Sequence, residues 1–141
     1  MKKITTLLLA LAAVLSCGTA VEVPFTRMSN YFALASAPEP SGIISSQQDL
    51  EKYFGLAPVM GRDGTPTAID FEKEIALPVV LPETDCPTEI TPISLENRNG
   101  ELVLTVSVKT EESTTWRMRP FLLVKTDKGD YSSLKVVRKD I

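Results

Sequence analysis

Two cysteines, eighteen carboxylates and no histidine are what this 141-residue chain brings to chemistry. Without histidine there is no imidazole general base, no Ser-His or Cys-His nucleophile pair and no imidazole metal ligand. Cys86 lies in the turn Pro82-Glu83-Thr84-Asp85-Cys86-Pro87. A reactive thiolate needs a positive neighbourhood, and Glu83, Asp85 and Glu89 supply the opposite. Cys86 is therefore expected to be a small, partly buried residue in a turn. Asp63, Asp70, Glu72 and Glu74 gather near Gly61-Arg62-Asp63-Gly64, and oxygen ligands of this kind suit calcium. Their spacing matches no EF-hand loop, however, and Arg62 and Lys73 offset the charge. Turn capping by Asp63 and a solvated Asp-Phe-Glu-Lys-Glu stretch are expected, with no metal and no cofactor. A carboxylate pair for glycoside hydrolysis needs an enclosed cleft and one raised pKa, and the sequence argues for neither.

Two further strings carry polar chemistry. Ser132-Ser133-Leu134-Lys135 contains S-x-x-K, which in serine acyl-transferases lies on a helix with further motifs downstream. Here it falls in a predicted terminal strand and reads as a chance match. Trp116-Arg117-Met118-Arg119-Pro120 is the densest positive pair in an acidic chain, next to its one tryptophan. Trp and Arg are common binding hot spots, so Trp116, Arg117 and Arg119 are the expected partner-binding residues. In an extended strand Trp116 and Met118 would face one side and the two arginines the other. The competing expectation has Trp116 and Met118 filling the core, with the arginines solvated or paired with Glu111 and Glu112.

These segments need a scaffold, and the pattern supplies one. Ser46-Gln47-Gln48-Asp49 is a capping-box-like start, Leu50, Tyr53 and Phe54 form an apolar stripe, and Gly55 suits the C-terminal cap. This predicts one short helix. Residues 56–68, rich in Gly, Pro and Thr, predict a long loop. The period then switches to two at Ile75, Leu77, Val79 and Leu81. Residues 88–96 predict a strand in which Pro92 marks an edge or bulge, and Asn99-Gly100 predicts a tight hairpin turn. Leu102, Leu104, Val106 and Val108 alternate with more polar residues, a strand with one buried face. A polar link over 110–115 leads to Phe121–Thr126, and a last strand falls near Tyr131–Arg138. The expected class is α+β, mainly β: an antiparallel sheet of six or so strands forming a small barrel or sandwich with one short helix.

The N-terminus speaks of location. Lys2 and Lys3 precede an apolar run from Leu7 to Leu15 and then Ser16-Cys17, the layout of an export signal. The run is too short to span a bilayer, which takes about twenty residues. Val14-Leu15-Ser16-Cys17 resembles the lipobox of bacterial lipoproteins, which implies lipidation at Cys17 and a membrane anchor. The alternative is ordinary cleavage after Ala20. The expected organisation is a signal over 1–16, a tether over 17–28 and one globular domain over 29–141. Removing the signal leaves thirteen basic residues against eighteen acidic ones, a balance that excludes a nucleic-acid partner. With Cys17 acylated or removed, Cys86 has no disulfide partner.

From Ser41 onward the order of features resembles the C-terminal domain of the protease complex subunit PrcB family and the small Bacteroides-type envelope lipoproteins related to it. The matching parts are Ser41-Gly42-Ile43, the helix Gln48-Asp49-Leu50-Glu51-Lys52-Tyr53-Phe54, and Ile69-Asp70-Phe71-Glu72-Lys73-Glu74. They continue with Glu89-Ile90, Asn99-Gly100-Glu101-Leu102-Val103-Leu104 and Pro120-Phe121-Leu122-Leu123-Val124. The family's Pro-Thr-Gly-Gly-Tyr-like turn is replaced by Thr84-Asp85-Cys86-Pro87-Thr88, so no role of that turn transfers. The resemblance implies a non-catalytic envelope lipoprotein that assists an extracellular protease. Two alternatives stand beside that expectation. One is a protease inhibitor presenting loops 56–68 and 82–88. The other is a metal-dependent enzyme using the carboxylates near Asp63 and Asp70.

Overall fold

A computed structural model describes residues 20–60 and 64–141. Among them, nine strands and one helix follow in chain order: β1 (Val21–Glu22), β2 (Thr26–Arg27), β3 (Tyr31–Ala33), α1 (Gln47–Tyr53), β4 (Phe54–Leu56), β5 (Glu74–Val80), β6 (Thr88–Arg98), β7 (Glu101–Thr110), β8 (Phe121–Asp127) and β9 (Ser133–Asp140). They build three open sheets: β1-β6-β7-β9, β2-β8-β5 and the small pair β3-β4. The mainly β, α+β class is as expected, but the strands divide among three sheets that do not close into a barrel.

The alternating apolar residues explain the layering. Leu102, Leu104, Val106 and Val108 of β7, with Ile90 and Leu95 of β6, share one buried core with Ile75, Leu77 and Val79 of β5 and Leu122 and Val124 of β8. Each such side chain contributes about 1.5–3 kcal/mol on full burial. A second core lies on the other face of the β2-β8-β5 sheet, where Ala76 and Leu123 meet Met28, Ile44, Leu50 and Phe54. That sheet is thus a middle layer. The period of two in β5 is real, but the strand is buried on both faces, which the uninterrupted run Ile75-Ala76-Leu77-Pro78-Val79-Val80 accommodates. Pro78 is tolerated because β5 is the edge strand of its sheet.

Several local signals do what their chemistry requires. Ser46 caps α1 by accepting from Asp49 N–H at 3.1 Å. The Asn99-Gly100 turn has φ of 54° and 89°, both left-handed, and joins β6 to β7. A bulge sits between Pro92 and Ser94. Gly55, in contrast, is not a helix cap. Phe54 already turns extended and the chain runs straight into β4, where Gly55 pairs with Phe32. The Phe32 ring lies over Gly55, and a Cβ there would come within 2.4 Å of it.

Two departures concern connectivity. Within the stretch expected as a tether, β1 pairs with β6 and β2 with β8. Val23 N–H donates to Leu95 O and Met28 N–H to Leu123 O, both at 2.8 Å. Val23 and Met28 are buried, so these residues are held by the fold from Val21 onward. Thr126 Oγ1 donates to Pro24 O at 2.7 Å and satisfies the one buried polar side chain of β8. The last strand does not turn back antiparallel beside β8. It crosses to the other sheet and pairs parallel with β7, from Glu101↔Ser133 to Val108↔Asp140.

Candidate functional site

The segment 111–120 runs as a loop between β7 and β8, pinned to the turn that carries Cys86. Thr84 and Met118 exchange two backbone hydrogen bonds, each 2.8 Å, and Thr114 N–H donates to Asp85 O at 2.8 Å. Glu111 N–H donates to Pro87 O at 2.8 Å and Leu81 N–H to Pro120 O at 2.9 Å. Inside the turn, Cys86 N–H donates to Thr84 Oγ1 at 3.0 Å and Thr88 Oγ1 to Cys86 O at 2.8 Å. The two loops therefore form one stiffened unit at the end of the sandwich.

Trp116 stands on that unit with 53% of its surface exposed, so it does not fill the core. It borders a shallow cleft of about 240 Å³ with Pro87, Glu89, Lys109, Glu111 and Met118. Arg117 is exposed and pairs with Glu83 at 2.8 Å across the two loops, rather than with Glu111 or Glu112. An exposed pair of this kind contributes little to stability, about 0–1 kcal/mol. Arg119 has a different task. Its Nη1 donates to Leu34 O, and to Ala37 O at 2.7 Å, tying the chain after β3 to the loop. The structure thus presents Trp116 and Arg117 to solvent and commits the half-buried Arg119 to backbone carbonyls. The arginine-on-one-face expectation failed because 116 is a bend and only Met118 forms an isolated bridge.

The carboxylates near the start of β5 serve the backbone. Asp70 Oδ1 accepts from Glu72 N–H at 3.0 Å, and Asp70 N–H donates to Glu74 Oε1 at 3.1 Å. Lys125 Nζ lies 3.0 Å from Glu74 Oε2 and also donates to Ala68 O at 2.8 Å. Among the described residues no three His, Cys, Asp or Glu side chains come together as a ligand set. Asp63 lies outside the described residues, as does Cys17. The Asp70 N–H, and then the Lys125 ammonium, hold the Glu74 carboxyl below its ordinary value of 4.5. A lowered folded value means stabilisation that is present above 4.5 and is lost as pH falls through the folded value. Glu74→Gln is expected to flatten the acid side of a stability-versus-pH curve in urea denaturation, with neutral-pH stability falling only slightly. An unchanged acid slope would refute this role.

Cys86 is half-buried, with Sγ 3.5 Å from Asp85 Oδ1, in keeping with a turn residue. Ser132, the serine of the S-x-x-K string, lies just before β9 and its Oγ donates to Gly100 O at 3.4 Å, while Ser133 to Lys135 open the strand, so the string is not on a helix. Beside it lies a feature the sequence did not signal, an open cleft of about 840 Å³ between residues 41–45 and 128–134. Ile43, Ile75, Tyr131 and Leu134 line it, with Lys128 its one charged side chain. It is assembled from segments distant in the chain, which no local pattern reveals. No helix among the described residues is long and apolar enough to cross a membrane. Compared with known proteins, the chain matches no family model, no curated protein and no solved structure.

Proposed function

We propose that this protein is an exported, lipid-anchored, non-catalytic binding module of the bacterial envelope that acts as an accessory to an extracellular protease. The observation that carries the binding role is Trp116: a half-exposed tryptophan on a loop braced by five backbone–backbone hydrogen bonds to residues 81–87. A rigid aromatic beside an arginine is the composition of a hot spot, and bracing lowers the ordering cost of binding. Lys2, Lys3, the Leu7–Leu15 run and Cys17 support export and anchoring through acyl chains. The resemblance to PrcB-type domains supports the choice of a protease as partner.

Crosslinked capture from the native envelope, with the full chain as bait, is expected to yield one stoichiometric protease. Trp116→Ala should weaken that capture by about thirtyfold or more, as loss of a hot spot does. Unchanged capture by Trp116→Ala and Arg117→Ala variants would remove this face from the proposal. Cys17→Ala is expected to abolish labelling by radioactive palmitate and to move the protein into the soluble fraction. The stiffness of residues 82–88 also favours a second reading, in which this loop inhibits the protease. Full protease activity in the complex supports the accessory role, and loss of activity on mixing supports the inhibitor.

A further inference from the structure

The four-stranded sheet has two edges, and they are finished differently. On the β1 side, most of β6 runs past the two-residue β1. There Pro92 has no N–H to give, the register slips between Pro92 and Ser94, and Arg27 Nη2 covers Ile90 O at 3.4 Å. Proline, a bulge and a covering cation are the means by which an edge is closed to further strands. β9, on the other side, is eight residues long, in unbroken register with β7, and contains neither proline nor glycine.

Its backbone is half used. Ile141 N–H donates to Val108 O at 3.0 Å, which fixes the phase of the parallel ladder. Backbone groups alternate sides along a strand, so odd-numbered residues bond β7. The N–H and C=O groups of Leu134, Val136, Arg138 and Asp140 therefore point outward. Register also sorts the side chains. Leu134, Val136 and Arg138 share the core-facing side with Leu102, Leu104 and Val106, while Lys135, Val137 and Lys139 lie on the outer face.

Val136 stays 38% exposed although its neighbour Leu104 is fully buried. The reason is an open mouth between β9 and β5. It holds the 840 Å³ cleft at the Ile75–Leu134 end and a 330 Å³ cleft at the Leu81–Arg138 end. A strand added to β9 would cover that mouth. Charge selects its type: β9 carries Lys135, Arg138 and Lys139 against Asp140, in a chain of net charge −3. A second copy of β9 would bring six cations into one ribbon, which like-charge pairing opposes.

We propose that β9 accepts an extended acidic peptide segment as a further strand. Its apolar residues face Leu134 and Val136, and its carboxylates lie beside Lys135 and Lys139. Trp116 takes no part in this surface, although the Leu81–Arg138 end borders the 82–88 turn that braces the Trp116 loop. Main-chain bonds would supply affinity and the alternate side chains specificity.

The test uses the full chain in mild detergent and a capped peptide of about ten residues alternating valine with glutamate. Controls are the same peptide with lysine for glutamate and a scrambled order. Saturable binding by anisotropy is expected for the first peptide only, with slowed hydrogen exchange at the amides of Val136, Arg138 and Asp140. Val136→Pro removes one outward N–H and leaves the β7 ladder intact, so it should abolish binding. The exposed double variant Lys135→Glu/Lys139→Glu, which keeps every backbone donor, should lose about tenfold or more. Equal binding of the lysine or scrambled peptide, or binding without protection at those amides, would overturn the proposal. So would failure of the first peptide to bind. Dimerisation that Val136→Pro abolishes would assign the edge to a second copy and overturn it equally.

Discussion

Leu104→Ala is expected to destabilise the protein by about 2–5 kcal/mol, a large part of the 5–15 kcal/mol typical of a domain. Leu104 is fully buried in β7, flanked by Leu95 on β6 and Val136 on β9. Its side chain enters the main core between the two larger sheets. Truncation removes transfer energy and leaves a cavity that three hydrogen-bonded strands cannot close by moving together. Urea denaturation should show a lower midpoint with an unchanged slope, because the same surface is exposed on unfolding. A loss under about 1 kcal/mol would mean that the two sheets do not pack face to face at this point.

Phe54→Ala is expected to cost about 3–5 kcal/mol through the other core. Phe54 ends α1, begins β4 and is 3% exposed. Its ring meets Phe121 at 5.6 Å between centroids, tilted by 53°, a geometry worth about 0.5–1.5 kcal/mol beyond area. The seven-residue helix is too short to persist alone and depends on this contact and on Leu50. Loss of Phe54 should therefore release α1 and the β3-β4 pair before the sandwich melts, seen as faster hydrogen exchange at Leu50 and Phe54. Leu104 and Phe54 belong to cores on opposite faces of the middle sheet and share no partner. Their double variant should show additive losses to within about 0.5 kcal/mol. Strong coupling would show that the three layers behave as one packed body.

Much of this scaffold could be read from local chemistry, and the unread parts share a cause. Ser46 with Leu50, Asn99 with Gly100, and the alternation from Leu102 to Val108 are signals whose meaning is settled within a few residues, and each formed its element. Val21–Arg27 looked like a tether because two-residue strands have no period, and their partners lie far along the chain. The parallel pairing of β9 was hidden because Asp127-Lys128-Gly129-Asp130 looks like a turn into a neighbouring strand, while the residues that receive β9, Glu101 to Val108, lie far back in the chain. At the candidate site, Trp116 and Arg117 were legible by type and lie on the surface. Arg119 was not, since its acceptors are carbonyls of Leu34 and Ala37, and carbonyls carry no side-chain signature. The brace of residues 82–88 likewise uses backbone groups for most of its bonds.

The pairing of β2 with β8 also orders events during synthesis. Thr26 and Arg27 leave the ribosome early, yet their partners are Lys125 and Val124. β5 has the same partner strand, from Glu74↔Asp127 to Val80↔Phe121. The middle layer therefore lacks its centre until β8 has emerged, and with it both cores lack a wall. A nascent chain stalled before Phe121 has nowhere to bury Leu77, Val79 or Met28, and exposes them to chaperones and proteases instead. Folding of everything built on the middle layer must therefore wait until β8 has been made, however early β2 and β5 emerge.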